Sequence, residues 1–315
     1  MKRVYLDQNK WIDLMRAKQG RPAGQSFQDA FIVARAGVEQ GLVSLPLSHI
    51  HYMEVYHRGN WQSRHRLADV MAELSRFHAI APQADVVPAE IDRALNERFG
   101  RPRQPRPLQV FGVGLRHASG EDDLQLELPD DLPIQFQQEV ADQFELAMLR
   151  GPAANTPLPW LDTTAHRHVA TNYQQAEQKL SEKLKREGWG KGDKLRRVML
   201  ASALVDILEV LNEAMEDARV SADELIALGE EGMTAFLENI PSRWVLYEMR
   251  RDLHARGHHE SHDVADLAAL SIAIAYCDVV VTEKQWVHVL KRAKVDDKMG
   301  TVLLSDLTKL PEAIV

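Results

Sequence analysis

Single carboxylates recur where apolar runs end. Asp7 follows Val4-Tyr5-Leu6, and Asn9, two residues on, is placed to orient it or a water by hydrogen bonding. Glu54 lies one turn beyond a predicted helix start at Ser48, three residues after His51, so His51 and Glu54 share a helix face. Asp263 and Asp266 stand one turn apart at the head of an Ala- and Leu-rich segment. Asp278 precedes the β-branched run Val279-Val280-Val281, and Thr282-Glu283 follow it. Taken singly, each is an ordinary turn former, cap or solvated helix residue. Beside apolar elements they need a reason, because a buried unpaired carboxylate is costly and converging carboxylates raise one another's pKa. A divalent cation removes the conflict: it takes oxygen ligands and supplies the missing positive charge. The chemistry this pattern points to is metal-assisted hydrolysis of a phosphodiester.

The elements that must position these groups read as α/β at both ends of the chain and helical in the middle. Val4–Leu6, Leu42–Leu45, Val279–Val281 and Thr301–Leu304 are short apolar or β-branched runs, hence strands. Helical stretches are predicted between them, at Trp11–Ala17, from Phe27 to Val38, from Ser48, at Arg64–His78, Pro241–Ala255, Val264–Tyr276 and Trp286–Lys294. In an open parallel sheet, groups at the carboxyl ends of the strands face the crevice where ligands bind, which is where Asp7 and Thr282-Glu283 fall. The middle, residues 82–240, begins with an extended basic loop, Asn96–Gln109, holding three prolines and four arginines. Val110–Leu115 and the acidic run Glu121–Asp131 suggest a hairpin or irregular excursion. Helices are expected at Gln135–Leu149, Thr164–Glu187, Lys194–Ala218 and Ala222–Glu238, with a Pro-rich linker at Gly151–Pro159. The expected organisation is a discontinuous domain of residues 1–81 and 241–315 carrying a mainly helical insertion, 82–240.

The start Val4-Tyr5-Leu6-Asp7-Gln8-Asn9, the Ser48-x-x-His51-x-x-Glu54 helix, and the ending Asp263-Val-Ala-Asp266 … Asp278-Val-Val-Val-Thr282-Glu283 resemble the PIN-domain nucleases. The resemblance covers residues 1–78 and 241–315. It implies a three-layer fold, a parallel sheet covered by helices. It also implies a nuclease that hydrolyses phosphodiesters with metal-activated water, leaving 5′-phosphate and 3′-hydroxyl ends. Carried over residue by residue, Asp7 is the first carboxylate, Glu54 the second and Asp266 the third, with Asp263 its rival. These hold Mg²⁺ or Mn²⁺. The family's fourth acid normally lies just after the strand-end Thr, where this chain has Glu283-Lys284; Glu283 and Asp278 are the candidates. Thr282 and Asn9 match supporting polar positions. Lys10 and Lys284, with Lys291 and Arg292, are positioned to contact backbone phosphates.

Competing chemistry is present. His254, His258, His259 and His262 crowd one stretch, and His262-Asp263 matches the dipeptide of HD-type phosphohydrolases, an all-helical class that the neighbouring Val279–Val281 strand disfavours. A non-enzymatic alternative is a degenerate PIN scaffold that binds RNA or a protein. The six tryptophans are available for base stacking or, more ordinarily, for the core. No Walker loop, dinucleotide fingerprint or GxSxG elbow occurs, which leaves motors, dehydrogenases and α/β-hydrolases unsupported.

Composition sets the outer bounds. The chain has 315 residues, 45% hydrophobic and 27% charged, a folded profile. The single cysteine, Cys277, excludes an internal disulfide and fits a cytoplasmic setting. The start MKRVYLDQNKW has no apolar run and predicts no signal peptide, and no stretch is apolar enough to span a membrane. A net charge of −8 argues against a protein basic all over. Charge is nevertheless segregated: Lys179–Arg197 carries a balance of +5 and Asp206–Glu238 one of −9. The arginine loop, with Arg101 and Arg103, and Lys179–Arg197 are the expected substrate path for nucleic acid, RNA ahead of DNA. An apolar stripe through Leu195, Leu211 and Met215 needs a partner face, supplied within the chain or by a homodimer.

Overall fold

The computed structural model describes residues 1–121, 133–151, 163–257 and 259–314. The acidic run from residue 122 to 131, most of the Pro-rich linker and His258 lie outside the described residues. In chain order the N-terminal part runs β1 (Lys2–Leu6), α1 (Gln8–Lys18), α2 (Gln28–Glu39), β2 (Val43–Ser44), α3 (His49–Tyr56), α4 (Trp61–Ser75), β3 (His78–Ile80), α5 (Gln83–Phe99), β4 (Phe111–Val113) and α6 (Gly114–Ser119). The middle continues with α7 (Ile134–Arg150), α8 (Thr163–Arg186), α9 (Gly192–Val205), α10 (Leu208–Ala218), α11 (Ala222–Ile226) and α12 (Gly229–Glu238). The last part is α13 (Pro241–Arg256), α14 (Asp263–Tyr276), β5 (Val279–Val281), α15 (Lys284–Arg292), α16 (Val295–Met299), β6 (Val302–Leu304) and α17 (Leu310–Ile314).

The protein is mostly helical around a small parallel sheet of order β2-β1-β5-β6. Val4, Tyr5 and Leu6 stand opposite Val279, Val280 and Val281, which in turn stand opposite Val302, Leu303 and Leu304. The two-residue period of a strand decides what each face meets. Val4, Leu6, Val279 and Val281 pack on one side with Leu14, Val38 and Leu67 from α1, α2 and α4. Tyr5, Val280 and Leu303 pack on the other with Met249, Ile274 and Trp286 from α13, α14 and α15. Both faces of the sheet are therefore buried, as the continuous Val-rich strands require.

Several local expectations shift. The helix expected to reach His78 stops at Ser75, because Arg76 (φ 50°) and Phe77 (φ 58°) take left-handed backbone. That turn releases His78–Ile80 to pair antiparallel with β4. The expected helices 194–218 and 222–238 each break in two, the first at Asp206-Ile207 and the second before Gly229 (φ 62°). The middle segment is also no separate body. Leu115, Ala118 and Leu149 join the same core cluster as Val4 and Leu6, so residue 82 marks no packing boundary. Leu195, Met199, Leu211 and Met215 are buried against α5, α8, α12 and α13, so this part of the stripe finds its partner within the chain. Among the described residues no helix is long and apolar enough to cross a membrane.

Candidate active site

Parallel pairing puts the carboxyl ends of β1 and β5 on one edge of the sheet. The Asp7 N–H donates to the Val281 carbonyl at 2.9 Å, and the Thr282 N–H donates to Leu304 at 2.9 Å, so Asp7 and Thr282 leave neighbouring strands together. Asp7 then caps α1: its carboxylate accepts from the Gln8 N–H at 2.8 Å and from the Thr282 hydroxyl at 3.1 Å. Two donors fix the side chain, yet burial dominates and raises its pKa, with Glu283 adding to the rise and Lys10 opposing it.

Glu54 and Asp266 come from the two helices beside this edge, α3 and α14. Burial, then the nearby charges of Asp7 and Asp266, push Glu54 up to about 8. Burial and Asp7 push Asp266 up to about 7, against a hydrogen bond from the Trp286 indole (2.8 Å) that favours its ionised form. Glu283 caps α15 and lies within electrostatic reach of both Asp7 and Asp266. The Tyr5 hydroxyl, 3.0 Å from Ser48 Oγ, has its pKa raised by burial and then by the charges of Asp7, Glu54 and Asp266. These couplings bring Asp7, Glu54, Asp266 and Glu283 to one edge, with Thr282, Asn9 and Lys10 beside Asp7.

His51 shares the helix with Glu54 but belongs to the scaffold. The Ser48 N–H donates to its Nδ1 at 3.0 Å, so Nε2 carries the proton and donates to the Leu6 carbonyl at 2.8 Å. Burial lowers its pKa to about 4, so it ties α3 to β1 as a neutral ring, stacked on Tyr5 at 5.0 Å.

Other sequence candidates fall elsewhere. Asp263 turns back to accept from the Glu260 N–H at 2.7 Å and caps the turn before α14. Asp278 sits at the amino end of β5, the opposite edge of the sheet, where it accepts from the Arg3 N–H at 2.6 Å; this corrects its place among the metal ligands. Lys284 is exposed at the head of α15, near the edge. The expected basic path is largely spent on ion pairs. Arg101 reaches Glu224 at 2.5 Å, Arg106 forks onto Asp92 at 2.7 and 2.9 Å, and Arg196 and Arg197 meet Glu230 at 2.5 and 3.0 Å. Arg103 remains exposed.

The histidine cluster is also structural. Ser181 Oγ lies 2.7 Å from Nδ1 of His254 and 2.8 Å from Nε2 of His259, while His254 Nε2 meets Glu177 at 2.9 Å. Arg250 adds a bidentate pair to Glu177 at 2.8 and 3.2 Å. Burial alone would raise Glu177; the hydrogen bonds and charges of His254 and Arg250 win and hold it at about 2. Ser181 is buried to 1% exposure, so this Ser-His-Glu chain offers no nucleophile.

Three contributors were not evident in sequence. Trp286 places an indole N–H on Asp266 from the face of α15 that packs under the sheet. Gln8 is 8% exposed, and neither its amide oxygen nor its nitrogen finds a partner among the described residues; Asn9 Oδ1 is likewise buried and unpartnered. Tyr5 links the carboxylates to the capped start of α3. The polar run Gln8-Asn9 directly behind Asp7 was the available signal, since polar side chains there have either to reach water or to serve the site.

The donor set is one of hard oxygens, which suits Mg²⁺ or Mn²⁺. Among the described residues no three His, Cys, Asp or Glu side chains are gathered closely enough to form a closed metal site. The set is open instead, as suits Mg²⁺, which keeps waters and is held by one or two carboxylates together with substrate oxygens. No protein-family model, curated protein or solved structure matches the chain.

Proposed function

We propose that this chain is a metal-dependent nuclease of PIN type, most simply an endoribonuclease, with Asp7, Glu54 and Asp266 as its central carboxylates and Glu283 as the fourth acid. One observation carries the proposal. Three partly buried carboxylates from β1, α3 and α14 face the carboxyl edge of a parallel sheet and raise one another's pKa, with no ion pair to a basic side chain among the described residues. A fold that keeps such repulsion gains nothing from it unless a cation or substrate relieves it.

Asp7, Glu54 and Asp266 would hold Mg²⁺ or Mn²⁺, which supplies a nucleophile at neutral pH and charge stabilisation on the phosphate. The chain's own groups set the rest. Thr282 and the Gln8 N–H hold Asp7 in one orientation, and Trp286 does the same for Asp266. The raised pKa values of Glu54 and Asp266 fall in the neutral range, so either side chain exchanges a proton there. Lys10, whose ammonium meets the Ser305 carbonyl at 3.1 Å, and exposed Lys284 stand where phosphates would approach. Pairing of most arginines in the middle segment argues for substrate contact close to the edge and not along a long basic track.

The test is cleavage of labelled single-stranded RNA and DNA by wild type, Asp7→Asn and Asp266→Asn, with Mg²⁺, Mn²⁺ or EDTA. Metal-dependent cutting that both variants lose is expected. No cutting with either metal, or equal cutting by the variants, removes the enzyme and leaves a scaffold that binds RNA or protein.

A further inference from the structure

A cavity of about 530 Å³ opens between the starts of α3 and α5, the α9–α10 junction, and α8, α13 and α14. Two of its walls, α3 and α14, are the helices that carry Glu54 and Asp266. Ser48, whose hydroxyl meets Tyr5, lines it directly. Its volume is in the range of sites for small organic ligands. Most of the wall is apolar, from Ile80, Leu246, Leu267 and Ile272. One end is polar, built from Gln83, Tyr173, Asp206, Arg243 and Arg250.

The polar end is charge-balanced and incompletely paired. Arg250 is committed to Glu177, to Asp206 Oδ2 at 2.5 Å and to Ser202 at 3.4 Å. Arg243 is 7% exposed; its terminal nitrogens donate to Gln83 at 3.1 Å and to Asp206 Oδ2 at 3.2 Å. Its Nε finds no acceptor among the described residues. Both arginines use the same oxygen of Asp206, so Oδ1 receives no hydrogen bond from a described side chain, and neither does the Tyr173 hydroxyl. Two guanidinium groups facing Glu177 and Asp206 leave no net charge. An anion would therefore find no surplus cation there. A buried donor and a free carboxylate oxygen both ask for partners on the ligand.

An uncharged, flat, largely apolar molecule with acceptors on one edge and donors on the next meets these demands. Guanine is the nucleobase with that pattern: O6 and N7 accept, as they do from arginine in duplex recognition, while N1–H and the amino group donate to a carboxylate. We propose that this cavity is a guanine-recognition pocket, with Arg243 Nε donating to the base, Asp206 Oδ1 accepting from it, and Ile80, Leu246 and Leu267 covering its faces. The proposal deepens the nuclease reading, on which it rests for the base being part of an RNA. A base held between α3 and α14 ties the substrate to the helices that present two of the carboxylates.

Calorimetric titration of the full chain in EDTA with guanosine, adenosine, cytidine and uridine tests the pocket without cleavage. Guanosine should bind at least about tenfold more tightly than the other three. Asp206→Asn tests the acceptor. Because that change also touches two arginines, Ala268→Trp serves as the second variant: Ala268 lines the cavity, is exposed, and its replacement fills the space from outside the core. Loss of guanosine binding by at least about tenfold in Ala268→Trp, with its melting temperature kept, is the expected result. No nucleoside binding, equal binding of all four, or guanosine affinity unchanged in Ala268→Trp overturns the proposal. Guanosine binding without RNA cleavage would leave the pocket and remove the nuclease; cleavage without guanosine preference would do the reverse.

Discussion

Glu54→Gln isolates the cost of the carboxylate cluster. In the folded chain Glu54 is pushed up to about 8 from an ordinary 4.5, by burial first and then by Asp7 and Asp266. The folded state thus holds this proton more tightly than the unfolded state. The resulting stability is fully present below about pH 4.5 and is lost as pH rises toward 8. A gap of about 3.5 pH units at roughly 1.4 kcal/mol each gives about 5 kcal/mol at pH 8. That is an upper bound, because Asp7 and Asp266 share in the repulsion and relax when Glu54 is neutral. Glutamine keeps the size and removes the charge. With about 2.1 cal/mol/K of unfolding entropy per residue, 315 residues give about 0.7 kcal/mol/K, so metal-free Glu54→Gln should melt up to about 7 °C above wild type at pH 8. At pH 5 the gain falls to about 1 kcal/mol or less by the same linkage. Melts followed by circular dichroism in EDTA at pH 5, 6, 7 and 8 give the profile. Adding Mn²⁺ at pH 8 should then raise wild type more than the variant, because an ion bound only by the folded state stabilises it. A melting difference that does not change between pH 5 and 8 would show that Glu54 carries no such strain, and the cluster argument would fail with it.

Trp286→Phe keeps most of a fully buried ring but deletes the indole N–H; carboxyl NMR titration should find the Asp266 pKa higher than in wild type. Arg250→Met leaves Glu177 buried with only His254, and urea unfolding should show a loss of about 3–5 kcal/mol. The Glu177 contribution has the opposite pH sense to that of Glu54: its pKa is held at about 2, so its stability is present above about 4.5 and fades as pH falls through 2. Asp278→Asn, at the other edge of the sheet, should leave RNA cleavage within about twofold of wild type while Asp7→Asn abolishes it; equal loss in both would put Asp278 back in the site.

The sheet and its edge were legible because two-residue periodicity and β-branched runs act locally. Val4-Tyr5-Leu6 and Val279-Val280-Val281 each announce a buried strand, and an acid at the end of such a strand is conspicuous. Asp266 and Asp263 were separable only by direction. Both start α14, and the hydrogen bond to Glu260 that turns Asp263 away depends on the shape of a turn, which spacing does not encode. Asp278 misled for a related reason: sequence proximity to β5 says nothing about which end of the sheet a residue occupies. The basic segments read as a path because one-dimensional charge counts omit partners. Arg196 and Arg197 find Glu230, more than thirty residues away, only once α9 and α12 pack. Trp286 was invisible as a site residue because an indole ring on an amphipathic helix looks like core, and here it is core as well.

The central pairing of the sheet joins β1 to β5, elements from opposite ends of the sequence. Asp7 is made early and Glu283 some 276 residues later, so at about 5–20 residues per second ribosomal synthesis separates them by roughly 15–55 s. Throughout that interval the edge of β1 has no β5 beside it, Asp7 lacks the Thr282 hydroxyl, and Asp266 lacks Trp286. The carboxylate cluster therefore cannot exist on a growing chain. Whatever chemistry it performs is withheld from the translating ribosome and its message until nearly the last strand has emerged, a delay built into strand order alone.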